Sequence, residues 1–161
     1  MRKKHKKILV VNTFGIGDVL FSTPLVRALK ERDPDCSIDF MCNRRCLKIM
    51  QRNAHVDNVI IFEKDEFRNM AKRSKLGFLK MMSGLFSGLA RKRYDIAIDL
   101  SLGYQLSLLL KFVGVKERLG LNYRNRGRFL TDRLDIRGFS EKHVVEYYLD
   151  ILGLLGIRDV T

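Results

Sequence analysis

Ile8-Leu-Val-Val-Asn12-Thr-Phe-Gly15-Ile-Gly17-Asp18-Val-Leu-Phe-Ser-Thr-Pro24 decides how the rest of the chain is read. The apolar, β-branched run at 8–11 predicts a strand buried on both faces, as in the middle of a parallel sheet. Gly15 and Gly17 follow, where a bare backbone lets a ligand approach closely, and a helix then opens with free N–H groups. A dinucleotide fingerprint would need a third glycine where Leu20 stands, and a phosphate-binding loop would need a Gly-Lys-Ser or Gly-Lys-Thr ending; neither occurs. Asp18 also argues against a pyrophosphate here, because a carboxylate within ~4 Å of another anion is repelled by several kcal/mol where water is sparse.

Asp18 itself has two readings. The positive end of a helix dipole favours a carboxylate, which could accept a proton from a substrate hydroxyl as a general base. Spacing alone favours the plainer of the two, an aspartate that only caps the helix.

Outward from this motif, short apolar runs alternate with amphipathic stretches. Strands are predicted at 8–11, 37–41, 59–62, 96–100 and 118–121, and helices at 19–32, 44–52, 76–93, 105–113 and 141–155, the last N-capped by Ser140. The alternation predicts an α/β fold, a parallel sheet with helices on both faces, in one domain over 8–161 behind a basic tail at 1–7. In such sheets ligands bind beyond the carboxyl ends of the strands. The loops expected on that edge are 13–18, 42–45, 63–75, 101–104 and 122–128, and they hold Arg44, Arg45, Lys64, Arg68, Lys72, Arg73, Lys75, Arg124, Arg126 and Arg128. Asp33-Pro34-Asp35 resembles a metal-binding carboxylate pair but lies on the opposite edge and reads as a turn.

The 161 residues carry 31 Lys and Arg against 18 Asp and Glu, a formal +13 that calls for an anionic partner: nucleic acid, phosphorylated glycolipid or membrane surface. A nucleic-acid module is disfavoured, since no helix-turn-helix, RNP or zinc pattern appears and aromatics are not interleaved with the basic loops as stacking platforms would need. Cys36, Cys42 and Cys46 lack paired spacing and read as free thiols; Cys42, Cys46 and His55 would need a fourth metal ligand. The basic start mimics a secretory leader, but Asn12 and Asp18 interrupt its apolar stretch and no cleavage site follows, so no export is expected. The uncharged runs 81–90 and 100–110 are shorter than the ~18–20 residues needed to span a bilayer. In the 76–93 segment Phe78, Met82, Leu85, Phe86 and Leu89 fall near one helical face, which suits core packing or, alternatively, contact with an anionic membrane.

Gly17-Asp18-Val19 followed by Pro24-Leu25-Val26-Arg27-Ala28-Leu29 resembles the opening signature of the ADP-heptose:lipopolysaccharide heptosyltransferases. Four further stretches resemble successive family blocks in the same order: Asn53-Ala-His55-Val56-Asp57-Asn-Val-Ile-Ile-Phe62, Tyr94-Asp95-Ile-Ala-Ile-Asp99-Leu, Arg118-Leu-Gly120, and His143-Val-Val-Glu146 running to Leu152-Gly-Leu-Leu-Gly156-Ile157. The resemblance covers nearly the whole chain and implies a GT-B architecture (glycosyltransferase family 9), of which this is the N-terminal, Rossmann-like half; with the donor-binding domain not in the sequence, the alternative is a non-catalytic half-protein that binds the acceptor glycolipid or depends on a partner chain. It further implies an inverting, metal-independent transfer from ADP-heptose to the lipopolysaccharide inner core, with Asp18 as base and no cofactor beyond the nucleotide-sugar donor. Gly15, Gly17, Lys64, Arg68, Arg124, Arg126 and Arg128 are then expected on the acceptor side, the cations binding its carboxylates and phosphates. Asp99 could touch substrate or cap a helix and stays outside the catalytic set. The expected place of action is the cytoplasm, at the face of the inner membrane.

Overall fold

The computed structural model describes residues 6–157; residues 1–5 of the basic tail and 158–161 lie outside the described residues. Six strands form one parallel sheet: β1 (Lys7–Val11), β2 (Ser37–Cys42), β3 (Asn58–Ile61), β4 (Ile96–Asp99), β5 (Glu117–Tyr123) and β6 (Asp132–Ile136), in the order β3-β2-β1-β4-β5-β6. The central rows are in register through Val10, which faces Phe40 on one side and Ile98 on the other. Ile8, Leu9, Val10 and Val11 are all buried, as expected of a strand with helices over both faces.

Alternate residues of the strands point into two cores. Ile8, Val10, Ile38, Phe40, Ile96 and Ile98 pack with Leu25 and Leu29 of α2 (Thr23–Arg32) and with Ile151 and Leu152 of α7 (Val144–Gly153). Leu9, Val11, Met41 and Ala97 pack on the other face, against Leu89 of α5 (Lys75–Lys92) and Leu106, Leu109 and Leu110 of α6 (Tyr104–Val113). The parallel, two-sided architecture read from the sequence is therefore the architecture of the molecule.

Five details differ. The helix expected at 19–32 is two helices, α1 (Ile16–Phe21) and α2, broken at Ser22. Pro24 has no N–H to give to Leu20, and the Thr23 hydroxyl donates to that carbonyl instead, at 2.8 Å. The helix expected at 44–52 is a 3₁₀ turn at Arg44–Cys46 followed by α3 (Leu47–Gln51). The segment 63–75, read as a loop, is largely helix α4 (Lys64–Arg73); it is amphipathic but strongly polar, with Phe67, Met70 and Ala71 as its apolar residues and none of them buried, while Asp65 and Glu66 in its first turn and Lys72 and Arg73 in its last suit the dipole.

Strand β6 was not foreseen. No helix separates it from β5, and its residues alternate between exposed and half-buried, as befits an edge. α7 is capped by His143, not Ser140: the His143 ring nitrogen Nδ1 accepts from the Val145 N–H at 3.3 Å, and the Glu146 carboxylate accepts from the His143 N–H at 3.2 Å. Asp33-Pro34-Asp35 is a turn, as expected.

Candidate functional site

The carboxyl ends of β1 and β4 lie side by side and β5 runs on past them, with Val11, Asp99 and Gly120 in one row. β1 runs into Asn12, which is fully buried and organises the next turn from both ends of its amide. Its Nδ2 donates to the backbone carbonyl of Asp18 at 3.0 Å, and its Oδ1 accepts from the Phe14 N–H at 3.2 Å. Asn43, at the end of β2, donates to the Phe14 carbonyl. The loop is thus tied to two strands before the helix begins.

Asp18 falls in the first turn of α1, not at the turn that opens it, and is half-buried. Its capping role is not used, since the N-cap is Gly15 and no side chain caps that end. Among the described residues its carboxylate has no ion pair. Tyr148, on α7 behind the loop, is the neighbour that feels it: burial pushes the Tyr148 phenol up to about 12, and the negative charge of Asp18 adds to that rise while a hydrogen bond with Asn12 opposes it. Phe21, at the end of α1, meets the His143 ring edge-on with centroids 4.9 Å apart. One face of α1 is therefore held by α7.

Gly15 and Gly17 are not required by backbone strain, because Gly15 has φ −68° and neither lies in the left-handed region. Packing within the chain does not require them either. A Cβ on Gly15 would come 3.8 Å from the Asp18 carboxylate, and one on Gly17 would project into an open region with nothing within 4 Å.

Asp99 ends β4 and is only 4% exposed. One carboxylate oxygen accepts from the Ser101 N–H at 2.9 Å; the other is buried without a hydrogen bond. Burial pushes its carboxyl up to about 6, and the bond from Ser101 only partly offsets this. Gly120 lets β5 approach at this point, since a Cβ there would sit 2.4 Å from the Asp99 backbone carbonyl.

The β5–β6 loop is shaped by Asn122, whose Oδ1 accepts from the Gly127 N–H at 2.8 Å while its Nδ2 donates to Asp135. Arg124 and Asn125 both take left-handed backbone conformations, with φ of 51° and 57°. The Arg128 guanidinium lies 4.5 Å from the centroid of Tyr104, at the start of α6, and Arg124 lies 5.0 Å over Tyr123. Aromatics are therefore combined with this basic loop, contrary to the expectation: Tyr123 and Phe129 flank it in sequence, Tyr104 joins it in space, and the guanidiniums already cover their faces. Arg126 is exposed on the turn between them.

Lys64 starts α4 and stands at the rim of a cavity of about 460 Å³ whose edge also includes Thr13, Phe14, Ser101 and Gln105. It is brought beside the Asp18 loop. Arg68, one turn further along, is spent on Asp65 at 3.4 Å, on an exposed surface. Cys36, Cys42 and Cys46 are free and buried. Among the described residues no group of three or more His, Cys, Asp or Glu could hold a metal ion.

No family model matches the chain. Individual proteins do. It is 30% identical over 127 residues to lipopolysaccharide heptosyltransferase 2 of Escherichia coli K12, covering 78% of this chain and 34% of that protein. It is 24% identical over 145 residues to lipopolysaccharide heptosyltransferase 3 of the same strain, covering 89% of this chain and 40% of that one. The solved structure of E. coli ADP-heptose lipopolysaccharide heptosyltransferase II superposes with a TM-score of 0.69 at 28% identity, over 90% of this chain and 39% of that one.

The chain belongs to the lipopolysaccharide heptosyltransferase family. It corresponds to the N-terminal half, and its sheet is the Rossmann-like sheet of a GT-B heptosyltransferase. It spans about two fifths of the length of the relatives it matches. Within this heptosyltransferase half, the block His143-Val-Val-Glu146 is the capping box that starts α7, and Arg118-Leu-Gly120 is the close approach of β5 to β4. Sequence reasoning missed Asn12 as the organiser of the Asp18 loop; its signal was a buried strand ending in an amide, seen only as an interruption of an apolar run.

Proposed function

We propose that this chain supplies the acceptor-side half of an enzyme that transfers heptose from ADP-heptose to the lipopolysaccharide inner core. The observation that carries the reading is Asp18: a half-exposed carboxylate in the first turn of α1, at the carboxyl edge of the central strand, held through Asn12 and flanked by two glycines that leave its approach open.

In the proposed step the acceptor hydroxyl gives its proton to Asp18 while its oxygen bonds to the anomeric carbon of the heptose. The bond from that carbon to the ADP oxygen breaks on the opposite side, so the centre inverts; ADP leaves and Asp18 holds the proton. The scheme as proposed calls on no metal ion. Arg124, Arg126 and Arg128, with Lys64, face the anionic acceptor through charge-assisted hydrogen bonds. Arg68 contributes less, because Asp65 already offsets its charge. Stabilisation of the departing ADP is assigned to the remaining three fifths of a full-length relative, so the 161-residue chain alone is expected to be silent with ADP-heptose. The reading sets the reaction in the cytoplasm, at the inner face of the membrane that carries the acceptor.

The test joins this half to the donor-binding half of a heptosyltransferase and measures ADP release with Kdo-bearing lipid A. The joined protein is expected to turn over, and replacing Arg124, Arg126 and Arg128 by Ala is expected to raise KM for the acceptor at least tenfold with KM for ADP-heptose unchanged. Salt should weaken acceptor binding by the parent more than by the triple variant. A triple variant with normal acceptor KM would remove this loop from the site.

A further inference from the structure

The cavity beside the Asp18 loop has an inside and a rim of opposite character. Phe62 from the end of β3, Phe67 from α4, Phe78, Met82 and Leu85 from α5, and Leu106 from α6 form its walls. Its polar side chains, Thr13, Lys64, Ser101 and Gln105, come from the loops and helix starts at the sheet edge. At about 460 Å³ it is the size of a small-ligand site. Apolar walls offer bound water no hydrogen-bond partners, and they offer a sugar or a phosphate none either. Such a space suits a hydrocarbon chain whose polar end stops at the rim.

The charge at the rim selects the head. Of the ionic residues in the first turns of α4, Asp65 is paired with Arg68 at 3.4 Å and Glu66 with Arg44 at 3.8 Å, while Lys64 has no ion pair among the described residues. α5, the helix that gives three of the wall residues, has no acidic residue along its 18 positions. Its outer side exposes Leu76 at 79% and Leu79 at 61% beside Lys75 and Lys80, a surface suited to approach by an anionic amphiphile rather than by water-soluble sugar.

From this arrangement we propose that the cavity holds one acyl chain of the anionic acceptor glycolipid, with the lipid's charged head at Lys64. Thr13 and Phe14 of the rim belong to the loop that carries Asp18, so a lipid seated here is tethered next to the proposed base. The cavity as a chain site stands on its own geometry; the choice of the acceptor as the source rests on the function proposed above.

The test uses the 161-residue chain, with no transfer reaction. Decyl phosphate below its micelle concentration should bind one to one, and affinity should rise about tenfold for each two methylenes from hexyl to decyl. The methyl resonance of Met82 should shift on binding in the parent chain. Met82→Trp, which fills the cavity, should weaken decyl phosphate at least tenfold with an unchanged melting temperature; if that variant does not fold, the Met82 resonance of the parent decides. Lys64→Glu should weaken decyl phosphate several-fold and leave decanol unaffected. Leu79→Ser with Phe86→Ser should leave monomeric decyl phosphate binding as it was. Kdo-bearing lipid A should displace the probe at lower concentration than phosphatidylglycerol. Binding without chain-length dependence, an unmoved Met82 methyl, or loss only in the Leu79→Ser/Phe86→Ser variant would overturn the cavity. Displacement by phosphatidylglycerol as strong as by the glycolipid would overturn the acceptor as source, and neither result would touch the separate measurement of ADP release.

Discussion

Asp18 and Asp99 stand beyond and at the carboxyl ends of the neighbouring strands β1 and β4, yet they live in different media. Asp18 is half-buried on a helix whose dipole suits an anion, with an open approach over Gly17. Asp99 is 4% exposed, has one hydrogen bond, and holds its proton up to about pH 6. Asp39 completes the comparison. It is 3% exposed, and burial would raise its carboxyl too, but hydrogen bonds from Tyr94 and Asn58 and the Lys92 ammonium at 3.0 Å outweigh that and hold it below the usual carboxylate range. Burial alone therefore does not set the state of a carboxylate in this fold; the partners supplied by neighbouring elements do.

The largest effect that would sharpen this contrast is expected from Asp99→Asn. The native state holds the Asp99 proton more tightly than the unfolded chain, whose value is near 3.8, so its contribution to stability falls as pH rises from about 4 to about 6 and stays low above that. An amide cannot ionise, and at pH 7 the variant should be more stable by about 2–3 kcal/mol, from two pKa units at ~1.4 kcal/mol each. Its unfolding free energy should lack the fall between pH 4 and 6 that the parent shows. Chemical denaturation across that range measures both, and an Asp99→Asn variant no more stable than its parent would mean that water or a ligand reaches the second oxygen.

Gly120→Ala should act next most strongly, in the opposite direction. The added Cβ meets backbone, the Asp99 carbonyl at 2.4 Å, which cannot swing aside as a flexible side chain would. A loss of about 2 kcal/mol is expected, within the overpacking range, together with faster amide exchange at the β4–β5 pairing. A neutral result would show that β5 can step back from Asp99.

The smallest of the three is Tyr94→Phe, which deletes the 2.6 Å bond to Asp39 and should cost about 1 kcal/mol at pH 7. Because the folded carboxyl is depressed, its contribution is present above about pH 3.8 and is lost as pH falls through the lower folded value. The parent and Tyr94→Phe should therefore converge in stability under acid. Divergence at low pH would break the account of Asp39.

Five of the six strands were legible: the inner ones because strands buried on both faces are rich in apolar residues, Ile8-Leu-Val-Val11 above all, and the edge strand β3 because Val59-Ile-Ile-Phe62 is apolar although only half-buried. β6 and α4 were not, since both are dominated by charge: Asp132, Arg133 and Asp135 break up the edge strand, and α4 sets only Phe67, Met70 and Ala71 among polar residues and buries none of them. The break at Ser22 was written in Pro24 and was outweighed by the length of the amphipathic pattern. At the site, Asp18 and the arginines could be assigned to one edge of the sheet from the order of strands and loops alone. The tie from Asn12 to Tyr148 and the orphaned oxygen of Asp99 depend on residues far apart in sequence, and no local pattern encodes them. The cavity belongs to the same class: its walls are gathered from β3, α4, α5 and α6.

The most direct measurement compares Asp18→Asn and Asp99→Asn in this half joined to a donor-binding half, reading kcat for heptose transfer and the melting temperature of each. If Asp18 is the base, Asp18→Asn lowers kcat by ~10²-fold or more with KM and melting temperature nearly unchanged, while Asp99→Asn raises the melting temperature and leaves most of kcat. A well-folded Asp18→Asn enzyme with near-normal kcat, or a collapse of kcat on Asp99→Asn alone, would contradict the assignment of proton transfer to Asp18.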